Sequence, residues 1–257
     1  MDEANQKTYS AAGVVQHYAQ LSRLQPAEQA ILERFRERLP EMALLDVGVG
    51  GGRTTQHFAP LAGEYVGIDS SPEMVAACRR RCPEVERLTV GDARNLSRFA
   101  DGSFDFVLFS FNGIDYVSHG DRLQILREIH RVGKPGGYLF FSSHSLPGIA
   151  PAFSFKTHLS LNPLKTYVNL VMFGLLRLCN PGVTPQHLAT ADYLILRDES
   201  HNFRLKTYYG RPSAQLKQLA FGFEQVEVYS WKRKRASEAS DPSLLDSLWL
   251  YYLCTVL

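Results

Sequence analysis

The hydrophobic positions of this chain fall into short continuous runs separated by stretches with helical spacing. Leu44-Leu-Asp-Val47, Tyr65-Val-Gly-Ile-Asp69, Val85 to Val90, Phe104 to Phe111 and Tyr138 to Ser143 are of strand length and bounded by Gly, Asp or Ser. Phe104 to Phe111 is apolar on both faces, as a central parallel strand requires. Between these runs the period changes. Pro26 to Leu39 places Ile31, Phe35 and Leu39 on one helical face, with proline in the first turn and Pro40 as a stop. Arg53 to Leu61 is amphipathic. Ser71 caps a helix that has Pro72 and Glu73 in its first turn and runs from Met74 to Cys82. Asp121 opens another, carrying Leu123, Leu126, Ile129 and Val132, which Gly133-Lys-Pro-Gly-Gly137 ends. Tyr9 to Leu24, with Val14, Val15 and Tyr18, predicts a short helix ahead of the fold, either a packing arm or a cap over the binding site. This alternation argues an α/β domain built on a parallel sheet.

The last third changes character. Pro212 to Ala220 reads as a helix, and Phe223 to Tyr229 and Trp249 to Val256 read as a closing pair of strands. Before them lies an insertion of about 65 residues, Ser145 to Gly210, longer than any plain connection needs. It holds a mostly apolar helical run, Leu164 to Cys179, interrupted by Lys165, Asn169 and Arg177, and two strands, Asp192 to Leu196 and Phe203 to Tyr209. We expect it to roof the substrate pocket or to make a homodimer contact, in preference to facing a membrane. The basic run Trp231-Lys-Arg-Lys-Arg235 reads as a solvated loop. The chain thus divides into N-terminal helices (1–40), a core (41–144), the insertion (145–210) and a closing unit (211–257).

The chemistry begins where the first strand meets Gly48-Val-Gly-Gly-Gly52. Glycines there permit a tight turn and let a ligand approach the backbone, whose free N–H groups face it together with the next helix N-terminus. The spacing Asp46-x-Gly48-x-Gly50-x-Gly52 differs from the dinucleotide pattern, which lacks the leading acid. It resembles the first motif of class I S-adenosylmethionine (SAM)-dependent methyltransferases. Three further stretches agree with that resemblance: Asp69 ending the second strand, Gly91-Asp-Ala93 after the third, and the Lys-Pro-Gly-Gly turn before the fifth. Asp69 lies 17 residues beyond Gly52, near the ~20-residue distance at which an acid meets a ribose. The resemblance implies a seven-stranded, mostly parallel sheet with an antiparallel last strand and helices on both faces. It implies SAM as cofactor and S-adenosylhomocysteine as product, with Asp69 on the ribose and Asp92 on the adenine amino group. The expected cofactor set is Tyr18, Asp46, Gly48, Gly50, Gly52, Arg53, Asp69, Ser70, Met74, Gly91, Asp92, Ala93, Ser110, Phe111 and Asn112.

Composition narrows the acceptor. At 257 residues, 45% hydrophobic and 21% charged, the sequence describes an ordinary globular protein. A formal charge of +2 argues against a nucleic-acid partner. Four cysteines lack metal-ligand spacing, which argues for no metal; with a polar N-terminus they point to the cytoplasm. No apolar run approaches the ~20 residues of a membrane span. Family members that methylate nucleobase or glutamine amino groups carry Pro-Pro and an aromatic after an Asn or Asp at the fourth strand, whereas Asn112 here precedes Gly113-Ile114-Asp115. A small-molecule acceptor is therefore expected. His144 is the leading candidate base because it directly follows the fifth strand and histidine titrates near neutrality. Asn112, Asp115 and Tyr208 complete the expected catalytic group; Tyr116, His119 and Ser143 belong to the same strand tips, and His187, Asp192, His201 and Tyr209 of the insertion compete for the role of base. A methyltransferase-fold protein without turnover of its own, acting as a regulatory or assembly partner, is the alternative; a nicotinamide oxidoreductase is disfavoured by Asp46 and the closing hairpin.

Overall fold

The computed structural model describes residues 12–232, 236–237, 241, 244 and 246–257. Residues 9–11 of the expected first helix and 233–235 of the basic run lie outside these, as does the side chain of His201.

Five strands run parallel: β1 (Ala43–Val47), β2 (Glu64–Asp69), β3 (Leu88–Val90), β4 (Phe104–Phe109) and β5 (Gly133–Ser145). Two short strands of the insertion follow, β6 (Tyr193–Leu196) and β7 (Thr207–Gly210), then β8 (Phe223–Ser230), β9 (Ala236–Ser237) and β10 (Trp249–Val256). The sheet order is β3-β2-β1-β4-β5-β10-β8-β9. β10 is antiparallel to both β5 and β8, which gives the expected seven strands and closing hairpin. With β6, β7 and β9 the sheet reaches ten strands.

Each central strand feeds two cores because successive side chains point to opposite faces. Leu45, Val107, Phe109 and Phe141 join one cluster, and Leu44, Phe106, Leu108 and Phe140 join the other. The helices follow as α1 (Ala12–Gln20), α2 (Pro26–Phe35), α3 (Thr55–Phe58), α4 (Pro72–Arg81), α5 (His119–Val132), α6 (Leu146–Ile149), α7 (Pro163–Cys179), α8 (Pro185–Thr190) and α9 (Pro212–Leu219). Ile125, Leu126 and Ile129 of α5 cover the first cluster; Ala27, Ile31 and Phe35 of α2 cover the second.

Some elements are shorter than their patterns predict. α2 ends at Phe35, and Leu39 belongs to a separate 3-10 turn. β3 is confined to Leu88–Val90. Arg53 to Leu61 yields helix only at Thr55–Phe58, because the glycine loop continues as turns through residue 54. α5, by contrast, starts two residues early, capped by Ser118, whose hydroxyl accepts from Asp121 N at 3.1 Å.

The insertion joins the sheet at one place. Beyond Phe109, β4 no longer accompanies β5, and β7 takes over with His144 opposite Tyr209 and Ser145 opposite Gly210. The other edge of β5 is occupied there by β10, with Trp249 opposite His144. The β6–β7 hairpin therefore extends the sheet past the carboxyl end of β4, where ligands sit in open α/β sheets.

Candidate functional site

A cavity opens at the carboxyl ends of β1, β2 and β4. Gly48, Gly50 and Gly51 line it with Val47 and Val49; Ile68 and Phe109 form apolar walls, with Val117 and Ile125 beyond. Gly48, Gly50 and Gly52 all have positive φ, between +52° and +85°. A Cβ on Gly50 would enter open space, so the missing side chain is part of the opening. A Cβ on Gly51 would instead stand 2.6 Å from Ala19 Cα, so this glycine is what lets α1 lie directly on the loop. That contact brings Tyr18 to the cavity rim.

Of the expected cofactor set, Tyr18, Gly48, Gly50, Arg53, Asp69, Ser70 and Met74 line the cavity, as do Gly91, Asp92, Ala93, Ser110 and Phe111. Asp46, Gly52 and Asn112 do not. Asp46 turns beneath the loop, where its Oδ2 accepts from Thr54 and Tyr65 hydroxyls at 2.6 Å each, and burial pushes its carboxyl up to about 6. Gly52 packs on Cys78 of α4. Asn112 lies behind the lining, its backbone N–H donating to Ser142 Oγ at 2.7 Å. Thr54, Gly113 and Tyr116 line the cavity without having been anticipated as cofactor contacts.

Asp69 holds the loop as well as facing the cavity. Its two carboxylate oxygens accept from Gly50 N and Ser71 N at 2.9 Å, each retaining a lone pair for a ligand hydroxyl. Burial raises its carboxyl, which hydrogen bonds from the backbone at Ser71, Gly50 and Ser70 oppose. Asp92 sits across the cavity. Partial burial would raise it, but Arg94, bonded to both oxygens, holds it below the ordinary carboxylate value.

The floor is braced by a buried pair that sequence reasoning missed. Glu28 of α2 is fully buried and accepts from Arg53 Nη1 at 2.5 Å and Nη2 at 2.7 Å. It also accepts from Tyr251 Oη at 2.8 Å and Gln25 N at 2.7 Å, and from the Ser110 hydroxyl. Arg53 lies over the Phe111 ring at 4.5 Å. One carboxylate thus ties α2, the glycine loop, the end of β4 and β10 together. The signal was available: Glu28 sits three and seven residues before Ile31 and Phe35, so it shares their apolar stripe.

Beside this cavity, at the tips of β4 and β5, is a second polar group. Phe111 and Asn112 follow β4 in consecutive left-handed conformations, with φ of 58° and 62°. Such strain in non-glycine residues persists only where the surroundings enforce it, and it clusters at functional sites. The turn returns Asp115, fully buried, beneath His144. Asp115 Oδ2 accepts from His144 N at 2.6 Å and pairs with His144 Nδ1 at 2.8 Å. Its Oδ1 is ion-paired with the buried Arg122 and accepts from Ser143 Oγ at 2.9 Å. The ion-paired carboxylate can only accept, so the imidazole donates to it from Nδ1 and turns Nε2 toward Asn112. Asn112 Nδ2 is 3.4 Å from that Nε2, and Asn112 Oδ1 is buried with no hydrogen-bond partner among the described residues.

Asn112, Asp115 and His144 therefore meet, but none of them lines the cavity itself. Tyr116 makes the link, lining the cavity while its ring meets His144 edge-on at 6.1 Å. Tyr208 does not join them. Its ring lies 4.6 Å below the Arg122 guanidinium and stacks on Tyr193 at 4.8 Å, and its hydroxyl accepts from Gln218 at 2.9 Å. Desolvation pushes that phenol up to about 12. Its neighbour Tyr209 is the insertion residue beside His144, with ring centroids 5.0 Å apart. Among the described residues none of 145–210 lines the cavity itself; the insertion reaches the neighbouring polar group through Tyr209. Among the described residues, no group of three or more His, Cys, Asp or Glu is placed to hold a metal.

The sheet order, the glycine loop and the acids after β2 and β3 define a Rossmann-like nucleotide-binding core closed by a reversed hairpin. Residues 45–141 match the family described as "Methyltransferase domain". The fold is thus that of class I methyltransferases, and its core is similar to their domain. A demethylmenaquinone methyltransferase of Renibacterium salmoninarum is 34% identical over 131 residues, covering 51% of this chain and 53% of that protein. One from Beutenbergia cavernae is 37% identical over 133 residues, with coverage of 51% and 53%. The chain spans about half the length of these curated relatives. Among solved structures, the PH0226 protein of Pyrococcus horikoshii superposes with a TM-score of 0.59 at 18% identity, covering 98% of this chain and 99% of that one. A SAM-dependent methyltransferase from Mesorhizobium loti gives 0.57 at 19% identity, with coverage of 88% and 97%. At such identity these two speak for the fold.

Proposed function

We propose that this protein is a SAM-dependent methyltransferase acting on a small-molecule acceptor. The observation that carries the reading is the cavity between Gly50, Asp69 and Asp92, set in a core that matches a methyltransferase domain. The residues present fit the cofactor. The open space at Gly50 admits the amino-acid portion against the backbone, Asp69 keeps lone pairs for two ribose hydroxyls, and Ile68, Met74 and Ala93 offer apolar or backbone surface to the base, with Asp92 at its amino group. Gly48, Gly91, Ser70 and Arg53 complete this shell, and Tyr18 covers it.

When bound, SAM supplies a methyl group on a sulfonium, an excellent leaving group. The protein's task is then to align the acceptor about 3 Å from that methyl and to exclude water. Tyr116, Phe111 and Tyr18 provide the apolar enclosure. Asp115 orients His144 so that Nε2 can accept a proton from an acceptor hydroxyl or amine, and the unpartnered Asn112 Oδ1 can accept a hydrogen bond from the same group. Ser143 and Arg122 keep Asp115 in place.

The relatives' names make a demethylated menaquinone the first acceptor to try. A nucleic-acid acceptor is not favoured by the +2 charge. All four cysteines are free, which suits the reducing cytoplasm. Calorimetry should show binding of SAM and S-adenosylhomocysteine, and incubation with quinols, phenols and amines should release S-adenosylhomocysteine. Binding of NAD but of neither SAM nor its product would overturn the reading.

A further inference from the structure

The helical part of the insertion turns its apolar side outward. Leu164, Tyr167, Val168, Val171, Leu175 and Leu178 of α7 are all exposed, Leu164 at 71% and Leu178 at 76%. At about 100° per residue these six fall within a single arc of about 100°, and Leu164 to Leu178 covers about 21 Å of helix length. Phe155 and Leu159, in and just after the turn packed against α7, are exposed as well, at 53% and 54%. The opposite side of the helix packs inward on that turn, with Phe173 between Phe155 and His158. A contiguous apolar surface of this kind marks an interaction site.

Charge identifies what it meets. From residue 145 to residue 190 there is no Asp or Glu, while Lys156, Lys165 and Arg177 are present. Removing those three from the chain's 28 Lys and Arg leaves 25 against 26 Asp and Glu, so the cationic excess resides in this segment. Lys165 follows Leu164 on the flank of the stripe, and Lys156 follows Phe155; both are exposed. An apolar helical face flanked by lysines and free of acids matches an element lying in the headgroup layer of an anionic bilayer, where lysine stems reach from apolar depth to lipid phosphates. Among the described residues no helix is long and apolar enough to cross a membrane, so the geometry is that of a surface-lying helix.

We propose that the outer face of α7, with Lys156 and Lys165, docks this protein on an anionic membrane surface. The inference is independent of methyl transfer. It is tested by co-sedimenting the full chain with phosphatidylcholine vesicles with and without phosphatidylglycerol. Binding should favour the anionic vesicles and weaken with salt. Lys156→Gln/Lys165→Gln should weaken it about thirtyfold, as expected for two lysines near a charged surface. Val168→Glu/Val171→Glu/Leu175→Glu should abolish it, and because these positions are exposed the variant should keep its circular dichroism and thermal midpoint. Equal or no binding to the two vesicle types overturns the proposal. So does light scattering showing a dimer that the triple variant converts to monomer, since a second copy would then cover the face.

Discussion

Glu28 offers the sharpest test of how the cavity is held. Its side chain is 0% exposed and that of its partner Arg53 8%. Replacement by Gln removes the counter-charge and turns an amide NH2 toward a guanidinium that needs acceptors. Breaking a buried ion pair from one side costs about 3–5 kcal/mol, because the remaining charge stays desolvated. With an m-value near 3 kcal/mol/M, the urea midpoint should fall by about 1–1.7 M, read by circular dichroism. Removing both charges in Glu28→Gln/Arg53→Met should be less damaging than Glu28→Gln alone, since no orphan remains. Acid should modulate the gap. Burial would raise the Glu28 carboxyl, but attraction to Arg53 and hydrogen bonds from Arg53, Ser110 and Gln25 outweigh it and hold the group below its ordinary 4.5. Its stabilisation is therefore complete above the unfolded value and is lost as pH falls through the lower folded one, so wild type and Glu28→Gln should converge below about pH 4.5. A midpoint shift under about 0.3 M at pH 7, or a double variant worse than the single, would refute the reasoning.

Two further substitutions probe the chemistry. Asp69→Ala removes a charged acceptor from the proposed ribose site and from Gly50 N; with such bonds contributing about 1.5–3 kcal/mol, SAM affinity by calorimetry should drop roughly ten- to a hundredfold, and an unchanged value would reduce Asp69 to a turn residue. His144→Ala should lower turnover by about 10²–10⁴-fold while SAM affinity holds, and Asp115→Asn should act in the same direction by misorienting the ring; normal turnover in His144→Ala would show that no base is needed there.

The strands were legible because each is an apolar run ending in Gly, Asp or Ser, and the parallel order followed from the glycine loop after the first. Leu164 to Cys179 was read as a helix to within one residue, but its direction was not: periodicity gives an apolar face and says nothing of whether a neighbour covers it. The helix after the loop was overestimated because its amphipathic pattern begins while the chain is still turning. Asp46 was misplaced because an acid at a strand end looks the same from sequence whether it faces a ligand or, as here, the Thr54 and Tyr65 hydroxyls below the loop. Tyr208 was expected in the catalytic group with Tyr209 as a competitor, and alternation along β7 separated them: Tyr208 went under Arg122, and Tyr209 to His144. The Asp115–His144 pair needed long-range register, since the residues are 29 apart and meet only when β5 runs on beyond β4.

Among the described residues the insertion pairs with β5 at two positions, His144 with Tyr209 and Ser145 with Gly210, and has a small core of its own around Leu146, Ile149, Leu196 and Tyr209. Such a join behaves as a graft point. Substitutions on the insertion's exposed face, such as those at Leu164 and Leu178, leave the packing under the glycine loop untouched, whereas Gly148 and Tyr193 are tied to Ser247 and His119. A chimaera that trades the segment between Ser145 and Gly210 for that of a relative, keeping the two pairings, should leave the glycine loop and its cavity as they are.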